Sequence, residues 1–268
     1  MSSSLSSYKA AVSEQQTIGW VTDGNELVVV QQNLKRYDQV AEAVSEQGAE
    51  LIVFPEWGLF GNCRNRCSKG IPAYSRDTIL PFCEPIGEPG VDLLTNDSRH
   101  TPIMSGLAAI AKKYKIVVVA NVADKTEDGK LYNTEVAIDD DGTLLAKYHK
   151  KNVAMKRTFD TPPEGGVNDA VTFTKFGVKF GLFVCKDFFH EKPKKKLLEQ
   201  GATHFPYSMA APKMFGLVKV PYKRWAKKNN ATILVSNAKG GGGIFSGSGL
   251  VEGIVEEKGR FIMATIHC

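Results

Sequence analysis

Three segments of this 268-residue chain read as a buried strand followed directly by a reactive side chain. They are Leu51-Ile-Val-Phe-Pro-Glu56, Leu145-Ala-Lys-Tyr-His-Lys150 and Phe180-Gly-Leu-Phe-Val-Cys185. A carboxylate, an ammonium and a thiol that meet at one point can carry out acyl transfer. The thiol attacks only after losing its proton. Glu56, in a partly dry pocket, can accept that proton. Lys150 can favour the thiolate and hold the oxyanion of a tetrahedral intermediate, and the product would be a thioester on Cys185. The backbone N–H of Lys186, next after the thiol, is a second candidate donor to that oxyanion. Trp57 and Phe60 would line the pocket beside Glu56. Plainer readings stand beside these. A cysteine after an apolar strand packs as a small hydrophobe. Glu56 can cap a helix, Lys150 belongs to a basic run that water can solvate, and Trp57 and Phe60 can be core.

Such a trio converges only if rigid elements carry it. Apolar residues recur at helical spacing over Glu26 to Gln47, and Gly48 follows where a helix C-terminus needs it. Leu51 to Phe54 and Ile116 to Ala120 are short continuous apolar runs, the pattern of strands covered on both faces. Ile103 to Tyr114 reads as a helix. Thr134 to Ile138 and Thr143 to Tyr148 flank Asp140-Asp-Gly142, a hairpin signal. Val178 to Val184, Thr203 to Tyr207, Ala231 to Ser236 and Phe261 to Ile266 read as strands. Lys194 to Gln200 and Val218 to Asn229 read as helices. The Gly-rich stretch 240–249 reads as a connection between strands, because it lacks the Lys-Ser/Thr ending of a phosphate-binding loop. Alternating helices and buried strands imply an α/β layered fold, and the absence of a linker implies one domain over residues 1–268. In such folds ligands bind beyond the carboxyl ends of the strands, where all three reactive residues fall.

Composition narrows the function classes. Apolar residues make up 43% and charged residues 24%, ordinary values for a globular chain able to bury a large core. The net charge of +5 is spread along the chain and argues against a nucleic-acid binder. No run of about 18 apolar residues is present, so no membrane span is expected. Five cysteines cannot pair fully. With no basic and apolar leader at the N-terminus, reduced thiols and a cytoplasmic location are expected, with secretion the alternative. Cys63, Cys67 and Cys83, even with His100, lack the spacing of a zinc site, so no metal is expected.

The motifs Phe54-Pro-Glu56-Trp-Gly-Leu-Phe-Gly61, Tyr148-His-Lys150-Lys-Asn152 and Gly181-Leu-Phe-Val-Cys185-Lys-Asp187 resemble the three signature regions of the nitrilase (carbon–nitrogen hydrolase) superfamily. The run Tyr8-Lys-Ala-Ala-Val12, the segment Cys185-Lys-Asp187-Phe-Phe-His190 and the pair Ser236-Asn237 are similar to the catalytic domain of its vanin/biotinidase branch. The resemblance implies a four-layer α-β-β-α sandwich and a catalytic triad of Glu56, Lys150 and Cys185; Trp57, Phe60, Lys186 and Asn237 are the expected substrate-binding residues. It implies hydrolysis of a small-molecule, non-peptide amide without a cofactor, and a homo-oligomer. A nitrilase acting on a nitrile, or a binding scaffold without turnover, are the alternatives. One departure stands out. The family generally carries a second glutamate a few residues after the lysine, and here Lys156 and Arg157 occupy that region. Asp160 or Glu164 could replace it only through a shifted loop. If Lys156 or Arg157 faces the pocket, acyl groups bearing a carboxylate or phosphate are favoured. If the loop turns outward, both are solvated.

Overall fold

The computed structural model describes residues 7–22, 24–62, 74–95, 101–163, 171–211, 219–247, 249–250, 254–256 and 261–268. The first part of the chain forms β1 (Ser7–Ser13), α1 (Glu26–Glu46), β2 (Leu51–Val53), α2 (Arg76–Ile79), β3 (Cys83–Glu84), α3 (Pro102–Tyr114), β4 (Val117–Lys125), β5 (Leu131–Ile138) and β6 (Leu144–His149). There follow β7 (Val171–Phe173), β8 (Lys179–Gly181), β9 (Phe183–Val184), α4 (Glu191–Glu199), β10 (His204–Met209), α5 (Lys219–Asn229), β11 (Thr232–Asn237), β12 (Gly243–Ser246) and β13 (Gly249–Leu250). The chain then returns to the first sheet with β14 (Ile254–Glu256) and β15 (Phe261–His267).

Two mixed sheets result. The first has the order β14-β15-β1-β2-β4-β5-β6, with β3 paired to β4. The second runs β13-β12-β11-β10-β8-β7, with β9 paired to β10. In the first sheet β1, β2 and β4 are mutually parallel, and the β4–β5–β6 meander is antiparallel. In the second, β10 lies parallel to β8, β9 and β11.

Strand alternation sorts the apolar residues into two cores. Ala11, Ile52, Val118 and Ala120 face α1 and α3, packing with Tyr37, Val40, Val44, Ile103 and Leu107. Their neighbours Ala10, Val12, Leu51, Val53, Val117 and Val119 face the second sheet, with Phe180, Phe183, Phe205, Ile233 and Val235. The same cluster takes in Leu197 of α4 and Tyr222 and Trp225 of α5, and the Trp225 ring meets Phe205 edge-on at 4.9 Å. Helix, sheet, sheet, helix is therefore the layer order, and the expected α-β-β-α sandwich is the architecture.

Local signals explain the elements that lead to the site. Gly48 takes φ +82 to end α1 and turn the chain into β2. Pro102 opens α3, and the buried Glu84 carboxylate accepts the amide N–H groups of Ile103 at 2.6 Å and Met104 at 3.0 Å. Gly142, at φ +96, closes the β5–β6 hairpin expected from Asp140-Asp-Gly142. Three expectations need correction. The strand expected over 178–184 is broken at Leu182 into β8 and β9. Ser7–Ser13, not read as a strand, pairs with both β15 and β2. The Gly-rich stretch contains β12, whose Ile244 and Phe245 pair with β11 and are buried.

Candidate active site

Glu56 sits just beyond β2, Lys150 just beyond β6, and Cys185 just beyond β9. Alternation aims Lys150 inward. Ala146 and Tyr148 of β6 face the core between the sheets, so Lys150 faces it too, and its backbone N–H is fixed by the Asn133 carbonyl at 2.8 Å. Lys150 Nζ lies 2.5 Å from Glu56 Oε1, and both side chains are almost wholly buried. Asn133 Nδ2 donates to the same carboxylate oxygen at 3.0 Å. Asn121 in turn donates to Asn133 Oδ1 at 2.7 Å and accepts the Trp57 amide N–H at 3.3 Å. Glu56 is thus held from two sides by a cation and an amide chain.

Cys185 begins a short 3-10 turn, Cys185–Phe189, and takes φ +45. Trp57, next to Glu56, takes φ +65. Four non-glycine residues have positive φ among the described residues, and these two stand at the site. Left-handed backbone costs an L-residue energy, so neighbouring bonds must hold it. Tyr207 supplies one bond, its hydroxyl donating to the Cys185 carbonyl at 2.6 Å. Asp187 supplies others. It is fully buried, accepts from the Tyr148 hydroxyl at 3.0 Å, and accepts both the backbone N–H and Nδ2 of Asn152 at 2.7 Å. These contacts staple the cysteine turn of the second sheet to the segment of the first sheet that carries Lys150.

Electrostatics set the protonation states. Burial pushes the Cys185 thiol up to about 12, and the Glu56 charge adds to this against the pull of Lys150 and the Ala210 amide. The thiol therefore rests protonated, hydrogen-bonded to Glu56. Lys150 pulls the thiol pKa down, the direction expected of it, but burial and the Glu56 charge outweigh that pull. Burial works against the charge of Lys150, but the Glu56 carboxylate, through its charge and its hydrogen bond, outweighs it and holds the Lys150 pKa above the ordinary value.

A pocket of about 50 Å³ opens among these groups, lined by Glu56, Asn133, Lys150 and Cys185 on its polar side. Trp57, Val153, Met155, Phe159 and Ala210 line its apolar side. Trp57 thus reaches the pocket as expected. Phe60 does not line it; it stands behind, edge-on to Trp57 at 5.5 Å and to Phe82 at 5.8 Å. Asn237 also stands off the pocket, where its amide bonds Ala211 N at 3.0 Å, Ala211 O at 3.1 Å and Gly240 O at 2.7 Å. It braces the loop after β10. The Lys186 side chain is exposed, which leaves its backbone N–H as the group of interest. Lys156 and Arg157 are exposed and outside the lining. Asp160 is taken up by Arg76 at 2.9 Å and the Leu131 N–H at 2.8 Å, so it does not replace the missing carboxylate. Glu164, Cys63, Cys67 and His100 lie outside the described residues.

Sequence reasoning missed Asn121, Asn133, Glu135, Tyr207 and Ser208. A signal existed for two of them. Asn133 and Glu135 are polar, two apart, in a strand whose other residues are mostly apolar, so one face of β5 carries both.

The sandwich, with carboxylate, ammonium and thiol at adjoining strand ends, defines a class, and comparison with known proteins agrees with it. The carbon–nitrogen hydrolase family matches residues 15–228, and the chain belongs to that family. It is similar to mouse pantetheinase, 34% identical over 74% of this chain and 40% of the relative. It is also similar to Takifugu rubripes biotinidase, 30% identical over 82% of this chain and 45% of the relative. The chain thus spans less than half the length of these relatives. Among solved structures, Saccharomyces cerevisiae Nit3, a member of branch 10 of the nitrilase superfamily, matches with a TM-score of 0.76 at 20% identity, covering 99% of this chain and 92% of that one. The Nesterenkonia sp. AN1 amidase in complex with acrylamide matches with a TM-score of 0.73 at 18% identity, covering 99% and 93%. Among the described residues no helix is long and apolar enough to cross a membrane.

Proposed function

We propose that this chain hydrolyses a non-peptide amide through a covalent thioester on Cys185. The observation that carries the reading is the buried Glu56–Lys150 contact of 2.5 Å in the same pocket wall as the Cys185 thiol. As the amide carbonyl enters, the thiol proton moves to Glu56 and Sγ bonds to the carbonyl carbon. Lys150 Nζ and the Lys186 backbone N–H stabilise the oxyanion. Glu56 then passes its proton to the departing nitrogen and the carbon–nitrogen bond breaks. A water gives a proton to Glu56 and attacks the thioester carbon, and the carboxylic acid leaves. Glu56 returns the proton to sulfur. No step calls for a metal or an organic cofactor.

The pocket wall favours a short apolar acyl group. It is small and built from Trp57, Val153, Met155, Phe159 and Ala210, while Lys156 and Arg157 stand outside it. The amidase neighbour, seen with acrylamide and with butyramide, supports the same substrate class. The resemblance also supports a homo-oligomer, which sedimentation at several concentrations tests. The amidase reading is tested by incubating the protein with a panel of short amides and recording intact mass. An acyl adduct confined to Cys185, with turnover lost in Cys185→Ala, is expected. Amide turnover by folded Cys185→Ala overturns the mechanism. A scaffold without turnover, favoured by the missing second carboxylate where Lys156 and Arg157 stand, would give neither adduct nor product.

A further inference from the structure

Glu135 has no part in the mechanism above. It lies on β5, fully buried, facing the core between the sheets like Asn133 and Ala137 on either side of it. Its Oε1 is 2.5 Å from Ser208 Oγ, and Ser208 Oγ is 2.6 Å from the Phe54 carbonyl oxygen. These are two short oxygen–oxygen contacts in a row. Each requires a hydrogen between the oxygens. A serine hydroxyl carries one hydrogen and a carbonyl none. The second hydrogen must come from the Glu135 carboxyl. The chain of donation then runs from Glu135 to Ser208 and from Ser208 to Phe54.

The charges around it agree. Glu56 and Lys150 are the nearby charged groups, and Tyr37 of α1 is the other titratable neighbour. Lys150 is already engaged by Glu56. An ionised Glu135 would be a second buried carboxylate with no cation of its own, and its Oε2 has no hydrogen-bond partner among the described residues. Burial and the Glu56 charge hold its pKa well above the ordinary carboxylate value, despite the opposing bonds from Ser208 and the charge of Lys150.

The ends of this chain of donation are informative. Phe54 is two residues before Glu56. Ser208 is two residues before Ala210, whose backbone N–H faces the Cys185 thiol. The bridge therefore links the strand end that presents Glu56 in the first sheet to the strand end beside Cys185 in the second.

We propose that Glu135 is a positioning residue that works as a neutral acid, its proton locking Ser208 onto the Phe54 carbonyl and so fixing Glu56 against Cys185. The kinetic part of this proposal rests on the amidase reading; the protonation part does not. Glutamine can donate from its amide as the neutral acid does, whereas leucine cannot. Glu135→Gln should keep kcat within about 3-fold of the parent and leave the pH profile unshifted, while Glu135→Leu and Ser208→Ala should each lower kcat by about 5-fold or more with KM little changed, the cost of misplacing one hydrogen bond. Difference infrared spectroscopy of the parent at neutral pH should show a protonated-carboxyl stretch that Glu135→Gln removes. The absence of that stretch overturns the neutral acid, whether or not any amide is turned over. Glu135→Gln falling as far as Glu135→Leu overturns the donor role, as does Ser208→Ala matching the parent. Where Glu135→Leu does not fold, Glu135→Gln and Ser208→Ala decide alone. Where no amide is turned over, the alkylation rate of Cys185 in the same variants replaces kcat.

Discussion

The resting proton on Cys185 has a direct kinetic consequence. Its pKa of about 12 stands 3 units above the ordinary thiol value of 9.0. At pH 8 an ordinary thiol is about one tenth ionised, while this one is ionised to about one part in 10⁴. The thiolate population is therefore about a thousandfold smaller than for a free thiol. The assay is alkylation by a small neutral haloacetamide between pH 6 and pH 11, followed by intact mass. The logarithm of the rate should climb one unit per pH unit across the whole range, with no plateau. Glu56→Gln removes a neighbouring negative charge that raises the thiol pKa, so its curve should shift to lower pH and its rate at pH 8 should rise. Lys150→Met removes the cation that lowers it, so its curve should shift the other way. A plateau beginning between pH 6 and pH 8 in the parent would refute the reasoning. It would mean that Cys185 rests as a thiolate paired with Lys150, and that Glu56 is not needed to take the first proton.

Three further outcomes follow from the same geometry. Glu56→Ala strands Lys150 as a buried cation and should cost about 3–5 kcal/mol in chemical denaturation, whereas the isosteric Glu56→Gln should cost clearly less while still abolishing turnover. Tyr207→Phe removes the 2.6 Å bond that holds the Cys185 carbonyl; it should cost about 1 kcal/mol of stability and lower kcat more than it changes KM. Burial lowers the His204 pKa from 6.5 to about 4. A base with a lowered folded pKa stabilises the fold fully above its unfolded value, and that contribution is lost as pH falls from 6.5 towards 4. The shift of 2.5 units is worth about 3 kcal/mol, so thermal melts of the parent should fall across this window and those of His204→Asn should fall less.

The helices and most strands were legible because their signals are local. α1 ends at Gly48, α3 follows the apolar spacing from Ile103, and the β5–β6 turn is written in Asp140-Asp-Gly142. β1 was not legible. Its worth comes from pairing with β15, more than 240 positions away in sequence, and its serine ends hide it. The break at Leu182 and the burial of β12 are likewise set by neighbours in space. The three reactive residues could be picked out because each follows a segment that reads as a strand. What surrounds them could not. Asn133 and Glu135 fell partly outside the strand expected from Thr134, so their shared face went unread. Phe60 follows closely on Glu56 and Asn237 ends β11, yet packing turns both away from the pocket. The proton on Cys185 was also beyond reach, since it depends on how far folding buries the thiol and how near it brings the Glu56 charge.

The two halves of the site belong to different sheets. Glu56 and Lys150 move together as part of one, and Cys185 rides on the other. A small slide of one sheet over the other would leave the carboxylate–ammonium contact intact and still change the distance from sulfur to its base. Side chains such as Val53, Val119 and Phe183, which fill the interface between the sheets, therefore set that distance like shims between two plates. Hydrostatic pressure, which squeezes interior voids, should act on the reaction rate well before it acts on the fold. Among related sequences, exchanges of one aliphatic residue for another in that layer offer a route to altered turnover that leaves every residue lining the pocket unchanged.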